Sequence, residues 1–249
     1  MNRSIAIIII LFFAIALPAR AEWRSLKEWS DLVEHSSGTK KVDYMNHSIE
    51  TMMGHSIDTA LRIAQDAINY STVLGYDRGR GYAYINYARC IVKKGYVDSC
   101  EHYHELALSL FRKINDNEGI FEVYSTLGRV YTGLLLSEKA TESYIEAMKY
   151  IDYVNNKSSI IKLYTFWGLL NIYWSDYEKA AQIIDKSSEY LFGLTDKEAI
   201  ILSKVIRGIL YIHTKEYSRS IEFFQDARKL SDDLNSDYYR SINDWYLSF

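Results

Sequence analysis

Two cysteines and two histidines are the side chains whose types and spacing come closest to a chemical site. Cys90 and Cys100 form an even pair, which in an oxidising compartment favours a disulfide. His102 and His104 invite a metal ion, but residues two apart diverge on a helix, whereas zinc-binding pairs lie about four apart. No carboxylate or third histidine follows at ligand spacing, so we expect no metal site.

The sequence also lacks the motifs that accompany common catalytic mechanisms. It has no glycine-rich phosphate loop, no nucleophile elbow and no grouping of serine, histidine and aspartate. Without an activated nucleophile or an acid–base pair, we predict a non-enzymatic protein that needs no cofactor. An enzyme with an unfamiliar site is the alternative, which a broad hydrolase and transferase screen would detect.

The residues from 124 to 147 form a unit that the rest of the chain repeats. Their small and large apolar side chains recur at intervals of three and four, which places each set on one stripe of an α-helix. The short stretch from 132 to 138 separates the two stripes, so the pattern predicts two antiparallel helices. The residues on the stripes are Tyr124, Leu127, Gly128, Tyr131, Ala140, Tyr144 and Ala147.

Small residues recur about every forty residues in three separate positions. Because three positions keep the same interval over four or five cycles, the pattern indicates an internal repeat rather than chance. The first position holds Ala88, Gly128, Gly168 and Gly208; the second holds Ala60, Cys100, Ala140, Ala180 and Ser220; the third holds Ala67, Ala107, Ala147, Ser187 and Ala227.

The unit resembles the tetratricopeptide repeat (TPR), whose spacing of aromatic, Leu-Gly, Tyr, Ala, aromatic and Ala it matches. The family period is about 34 residues, so this chain resembles a stretched variant, and it lacks the proline that usually closes each repeat. The resemblance covers roughly residues 57–237. It implies an all-α, right-handed superhelical solenoid of about five antiparallel helical hairpins.

The repeat geometry bears on the cysteine pair. Cys100 should face Ala88, and Cys90 lies two residues further along, about 200° around the helix. This orientation opposes the distance limit for a disulfide. Two buried thiols are therefore the favoured interpretation, and a bond between them is the alternative.

We expect four segments along the chain. Residues 1–21 are predicted to be a signal peptide, and residues 22–54 a helical cap, including Trp23, that ends in a degenerate first helix. Residues 55–237 are predicted to be the repeat array. Residues 238–249 are predicted to be a half-repeat or capping helix. A solenoid needs such end pieces because its first and last repeats have an open face.

The predicted signal peptide has three recognisable parts. Arg3 provides a basic start, residues 5–17 are an unbroken apolar run, and residues 18–21 offer a small-x-small cleavage site before Glu22. The apolar run is shorter than the roughly 20 residues that span a bilayer. We therefore predict export to the bacterial periplasm or secretion, without membrane insertion after cleavage. An uncleaved anchor is the alternative.

Charge argues against nucleic acid as a partner. The formal net charge is −3, and removal of the leader with Arg3 and Arg20 takes it to −5. A mildly acidic protein lacks the basic surface that nucleic-acid binding requires.

The family resemblance implies a binding surface on the concave side, formed by the first helix of each repeat. Its N-terminal half is charged and could grip a carboxylate through Arg89, Lys93 and Arg129. Its C-terminal half is apolar and could take hydrophobic anchors, or be covered by the C-terminal segment with Trp245 and Phe249. The predicted site residues are Tyr82, Arg89, Lys93, Glu122, Arg129, Lys162, Leu169, Ile172, Leu202, Ile209 and Ile212.

The expected function is that of an exported TPR module that binds a peptide or protein. The same scaffold serves many partners, so the resemblance does not identify this one. The alternative is the extracytoplasmic sensor portion of a bacterial signal-transduction protein whose transmembrane and output parts are missing from this chain. The DNA just downstream would distinguish the two hypotheses.

Overall fold

The computed structural model describes residues 26–97, 99–234 and 237–248. The predicted signal peptide, Trp23 and Phe249 therefore lie outside the described residues. The described part contains α-helices and one 3₁₀ turn, Ile151–Tyr153, and no strand.

Twelve α-helices make up this described part. In chain order they are α1 (Leu26–Glu34), α2 (Gly38–His55), α3 (Ile57–Leu74), α4 (Asp77–Lys93), α5 (Cys100–Lys113), α6 (Asn117–Gly133), α7 (Ser137–Met148), α8 (Lys157–Tyr173), α9 (Tyr177–Leu191), α10 (Lys197–His213), α11 (Tyr217–Asp233) and α12 (Asp237–Leu247).

The helices pack as five hairpins, each formed by two consecutive helices. The pairs are α2 with α3, α4 with α5, α6 with α7, α8 with α9 and α10 with α11. Each first helix also packs against the first helix of the next hairpin, and α12 packs on α11. This arrangement confirms the predicted all-α solenoid of about five antiparallel hairpins.

Short polar side chains begin several of the helices. The side chains of Asp116, Asp176 and Asp196 accept hydrogen bonds from backbone N–H groups of the first turn that follows. Asn156 does the same for α8, and Ser56 for α3. These N-caps satisfy donors that a helix start leaves without an intrahelical partner. Asp116, Asn156 and Asp196 lie in the links between hairpins, whereas Ser56 and Asp176 lie in the turns inside hairpins.

The small residues of the first slot allow the two helices of a hairpin to approach closely. A β-carbon at Gly208 would lie 2.8 Å from the ring of Phe224, and one at Gly168 would lie 2.9 Å from Cδ1 of Ile184. Gly128 lies in the same way against Tyr144. These approaches are closer than a side chain tolerates, so glycine is required where the facing residue is this large.

The fifth hairpin keeps this register although its sequence departs from the pattern. Lys204 and Arg207 occupy positions where the other hairpins hold large apolar residues. Gly208 nevertheless packs under Phe224 as its equivalents do. Lys204 and Arg207 lie over the ring of Phe223, at 5.6 and 5.8 Å. Lys204 also pairs with Asp226 and Arg207 with Asp185, so both charges are compensated where they lie against the ring.

The turn inside a hairpin has the same backbone shape four times. Gly95, Leu135, Ser175 and Lys215 follow one another at intervals of forty residues, and each has a positive φ, at 91°, 58°, 60° and 65°. Only glycine enters this left-handed region without steric cost. The turn geometry is thus imposed by the packing of the two helices and not by the residue type.

The hydrophobic core is continuous through the third, fourth and fifth hairpins and reaches Tyr246 of α12. The first two hairpins contain smaller clusters, one of which extends to Ile120 and Val123 of the third hairpin. Trp29 is the buried residue of α1, which packs on α2. No helix within the described ranges is both long and apolar enough to cross a bilayer.

Candidate functional site: the row of first helices

The first helices α2, α4, α6, α8 and α10 lie side by side, so equivalent residues follow one another along one surface of the array. We call two parts of it the polar half and the apolar half. The polar half consists of Tyr82, Arg89, Lys93, Glu122, Arg129 and Lys162, and all six are partly exposed. The apolar half consists of Leu169, Ile172, Leu202, Ile209 and Ile212.

Arg89 is held by a hydrogen-bonded chain that joins two first helices. Its guanidinium donates to Asn86 Oδ1 at 3.2 Å, and Asn86 Nδ2 donates to the backbone oxygen of Asn46 on α2 at 3.2 Å. Asn86 is 8% exposed. A buried amide with both ends engaged fixes the direction of the arginine beside it.

Arg129 occupies the equivalent position forty residues later and is held in a similar way. Its guanidinium donates to Thr126 Oγ1 at 3.4 Å and lies 5.5 Å from the centre of the Phe166 ring on α8. A cation over an aromatic face is attracted to it, most strongly where water is excluded. Two arginines in matching positions on α4 and α6 thus have supported orientations.

The sequence prediction missed the residues that support these arginines. Asn46, Asn86, Thr126 and Phe166 share one position of the forty-residue repeat. The periodicity was available as a signal, but the family positions taken as lining the groove do not include this one.

Most of the apolar half packs into the core. Leu169, Ile172 and Ile209 are 1–2% exposed, and Leu202 and Ile212 are partly buried against the same cluster. Neighbouring first helices close over these side chains because apolar residues on both sides gain from leaving water. Leu169, Ile172 and Ile209 are therefore not available as open anchor positions in this structure.

The two cysteines lie in different clusters. Cys90 packs with Ile49 and Met53 on the side of the first hairpin, whereas Cys100 packs with Ala88 and Val130. Both are buried, and no disulfide joins them. Burial raises the pKa of Cys90 to about 11, which makes this thiol a poor nucleophile at neutral pH.

The two histidines have different surroundings. His102 is exposed, and His104 is buried with its Nδ1 at 2.7 Å from the backbone oxygen of Cys100. Burial lowers the pKa of His104 to about 4, and the nearby charges of Arg129 and Arg89 act in the same direction. Across the described residues, no three His, Cys, Asp or Glu side chains are grouped so as to hold a metal ion.

Comparison with known proteins places the fold. No protein-family profile and no curated protein matches the chain. Among solved structures it is similar to BtubC (BKLC) from P. vanneervenii, with a TM-score of 0.60, 16% identity, and coverage of 91% of this chain and 92% of that one.

A second similar structure is a Signal Transduction ATPase with Numerous Domains from Pyrococcus horikoshii, which has a tetratricopeptide repeat sensor. The TM-score is 0.56, the identity is 18%, and the match covers 89% of this chain and 35% of that protein. This chain thus corresponds to about a third of the larger protein. This likeness and the hairpin packing described above show that the chain has a TPR-like helical fold.

Proposed function

We propose that the protein is a non-enzymatic module that binds an acidic segment of a peptide or protein along the polar half of its first-helix row. The observation that carries this proposal is the pair Arg89 and Arg129, which occupy matching positions on adjacent first helices and are each oriented by a neighbouring side chain. Oriented guanidinium groups bind carboxylates through charge-assisted, often bidentate, hydrogen bonds.

The neighbouring residues suit an extended acidic ligand. Lys93 lies one helical turn beyond Arg89 and is partly exposed, and Lys162 lies on the next first helix after Arg129. Four basic residues therefore lie on three successive first helices, α4, α6 and α8. Tyr82 is packed edge-on against Phe111 at 5.2 Å and provides a rigid aromatic border. Glu122, the one acid of the polar half, would disfavour ligands with a carboxylate beside it.

The proposal is tested with a displayed peptide library and affinities measured for enriched peptides. The test variant is Arg89→Gln with Arg129→Gln. The matched control is Arg62→Gln with Arg219→Gln, which removes the same charge from exposed positions on the second helices α3 and α11. We expect enrichment of acidic peptides and roughly tenfold or greater weakening in the test variant, as hydrogen bonds to charged groups contribute about 1.5–3 kcal/mol. Equal affinity in both variants would refute the proposal.

We also propose that this binding takes place outside the cytoplasm. The support is the basic, apolar and small-residue pattern of residues 1–21. Expression of the full chain in a bacterium followed by mass spectrometry of the envelope fraction tests the idea. A chain that begins at Glu22 is the expected product, and an intact chain found in the cytoplasm would contradict export.

A further inference from the structure

His104 occupies a core position that apolar or aromatic residues hold in the other hairpins. The equivalent residues at intervals of forty are Ala64, Tyr144, Ile184 and Phe224, all buried. His104 itself is 1% exposed. Of these five residues, only histidine acquires a charge between neutral and mildly acidic pH. At this position, the core of the second hairpin therefore contains a side chain that can become charged near neutral pH, which the other four hairpins lack.

The surroundings of His104 suit the neutral ring and not the charged one. Nδ1 donates to the backbone oxygen of Cys100 at 2.7 Å, a bond that both forms of the ring can make and that by itself raises the pKa. Nε2 is buried and has no hydrogen-bond partner within the described part of the chain. A second proton on Nε2 would therefore be a buried donor without an acceptor, and burying a charge that is not paired is costly.

The charges that face His104 oppose protonation on two sides. Arg89 on α4 and Arg129 on α6 both act on the ring with repulsive charge, and Glu101 on α5 itself acts with attractive charge. Glu101 is already engaged, because it accepts hydrogen bonds from the hydroxyl of Tyr131 at 2.6 Å and from Lys139 at 2.8 Å. Both donors belong to the third hairpin.

His104 also lies at the joint between the second and third hairpins. Two apolar clusters lie at this joint: one has Ala88, Cys100 and Val130 as its buried members, and the other has Ile85, Ala107, Phe111, Ile120 and Val123. The third, fourth and fifth hairpins share a far larger cluster. The joint therefore has less apolar burial than the later ones with which to offset a charge introduced beside it.

We propose that His104 makes the joint between the second and third hairpins acid-labile, so that acidification separates α5 from α4 and α6 and releases a ligand held by Arg89 and Arg129. The release step rests on the proposed binding function, whereas the opening of the joint does not. Protonation is favoured in the open state, where water solvates the imidazolium and the two arginines no longer flank it. The spacing of Arg89 and Arg129 depends on the closed joint, since one lies on each side of it.

Hydrogen exchange of the full chain at pH 7.5 and pH 5.0, corrected for intrinsic rates, tests the opening. The variant is His104→Tyr, which introduces the residue that the third hairpin holds, and the matched control is His102→Tyr, an exposed position on the same helix. Acidification should speed exchange in α5 and α6 roughly thirtyfold in the wild type and the control, from a histidine pKa of about 4 when closed and 6.5 when open. In His104→Tyr this acceleration should disappear. An unchanged acceleration in that variant would overturn the proposal.

Two further measurements keep the proposal testable. If His104→Tyr does not fold, NMR titration of the histidines in the wild-type chain replaces it, and a His104 pKa at or above the ordinary value would overturn the proposal. The release step is tested by comparing the affinity for an enriched acidic peptide at the two pH values in the wild type and in His104→Tyr. Equal loss of affinity on acidification in both would overturn the release step alone. Failure of the Arg89 and Arg129 variant to weaken binding at pH 7.5 would instead refute the binding function and leave the acid-labile joint standing.

Discussion

The ring of Tyr144 lies directly against the backbone of Gly128, so that a β-carbon at Gly128 would come within 3.0 Å of three ring atoms. Tyr144 is fully buried, and its hydroxyl is hydrogen-bonded to Thr132 Oγ1 at 2.8 Å. The ring is thus fixed at both ends and cannot move aside. This contact sets how closely α6 and α7 approach.

Replacing Gly128 with leucine should destabilise the fold by about 1–3 kcal/mol, because overpacking forces strained rotamers or separates the helices. Chemical denaturation measures the change. The control is Glu142→Ala, an exposed substitution on α7 that should stay within about 0.5 kcal/mol of the wild type. A Gly128→Leu variant as stable as the wild type would contradict the assigned contact.

Leu135 and Leu136 give a matched test of backbone strain. Both are 45% exposed, but Leu135 has a φ of 58° and Leu136 a φ of −89°. Leu135→Gly relieves the left-handed conformation and should leave stability unchanged or raise it by about 0.5 kcal/mol. Leu136→Gly relieves no left-handed conformation, and the loss of chain freedom is partly offset because an N-cap accepts glycine better than leucine, so stability should fall by less than about 1 kcal/mol. Thermal unfolding of the two variants measures this difference in stability. Equal losses of stability would show that the backbone at Leu135 is not strained.

Acid should weaken the fold through His104. Its pKa is lowered by burial to about 4 in the folded protein, against about 6.5 in an unfolded chain. Above pH 6.5 both states are neutral and stability is fully present. Between pH 6.5 and 4 the unfolded chain alone binds the proton, so the free energy of unfolding falls, by about 3 kcal/mol in all.

Denaturant titrations at several pH values measure this slope. His104→Tyr should flatten it in that window, and His102→Tyr should leave it as it is. Parallel pH profiles for the wild type and His104→Tyr would mean that other groups account for the acid sensitivity.

Neither cysteine should react with a thiol reagent in the folded protein. Both thiols are buried, and the pKa of Cys90 is raised to about 11 by burial. Both should react once the chain is unfolded. Masses measured with and without reductant should agree, whereas a difference of about two daltons, one hydrogen per sulfur, would reveal the disulfide that we disfavour.

The sequence was sufficient to predict the hairpins, because the contacts between paired helices require small residues at fixed positions. Gly128, Gly168 and Gly208 each face a bulky side chain within overlap distance, and such a requirement appears in the sequence as a fixed interval of small residues. Polar N-caps such as Asp116 and Asp196 likewise mark the links between repeats.

The candidate surface was less predictable, because the exposure of a position depends on its neighbours. Arg129 and Leu169 hold the same position in successive repeats, yet Arg129 is partly exposed and Leu169 is buried. An apolar side chain lets the adjacent helices close over it, whereas a guanidinium keeps contact with water. The position of a residue in the repeat therefore predicts where its Cβ lies but not whether its side chain is exposed to solvent.

The recurring left-handed residue at Gly95, Leu135, Ser175 and Lys215 has a consequence for how the length of the protein can change. Since each turn has one shape whichever amino acid it contains, and each hairpin touches chiefly its immediate neighbours, deletion of forty residues between equivalent points should let the flanking hairpins meet as the original ones did. The length of the array can therefore change in steps of one hairpin while the contacts between the remaining hairpins stay the same.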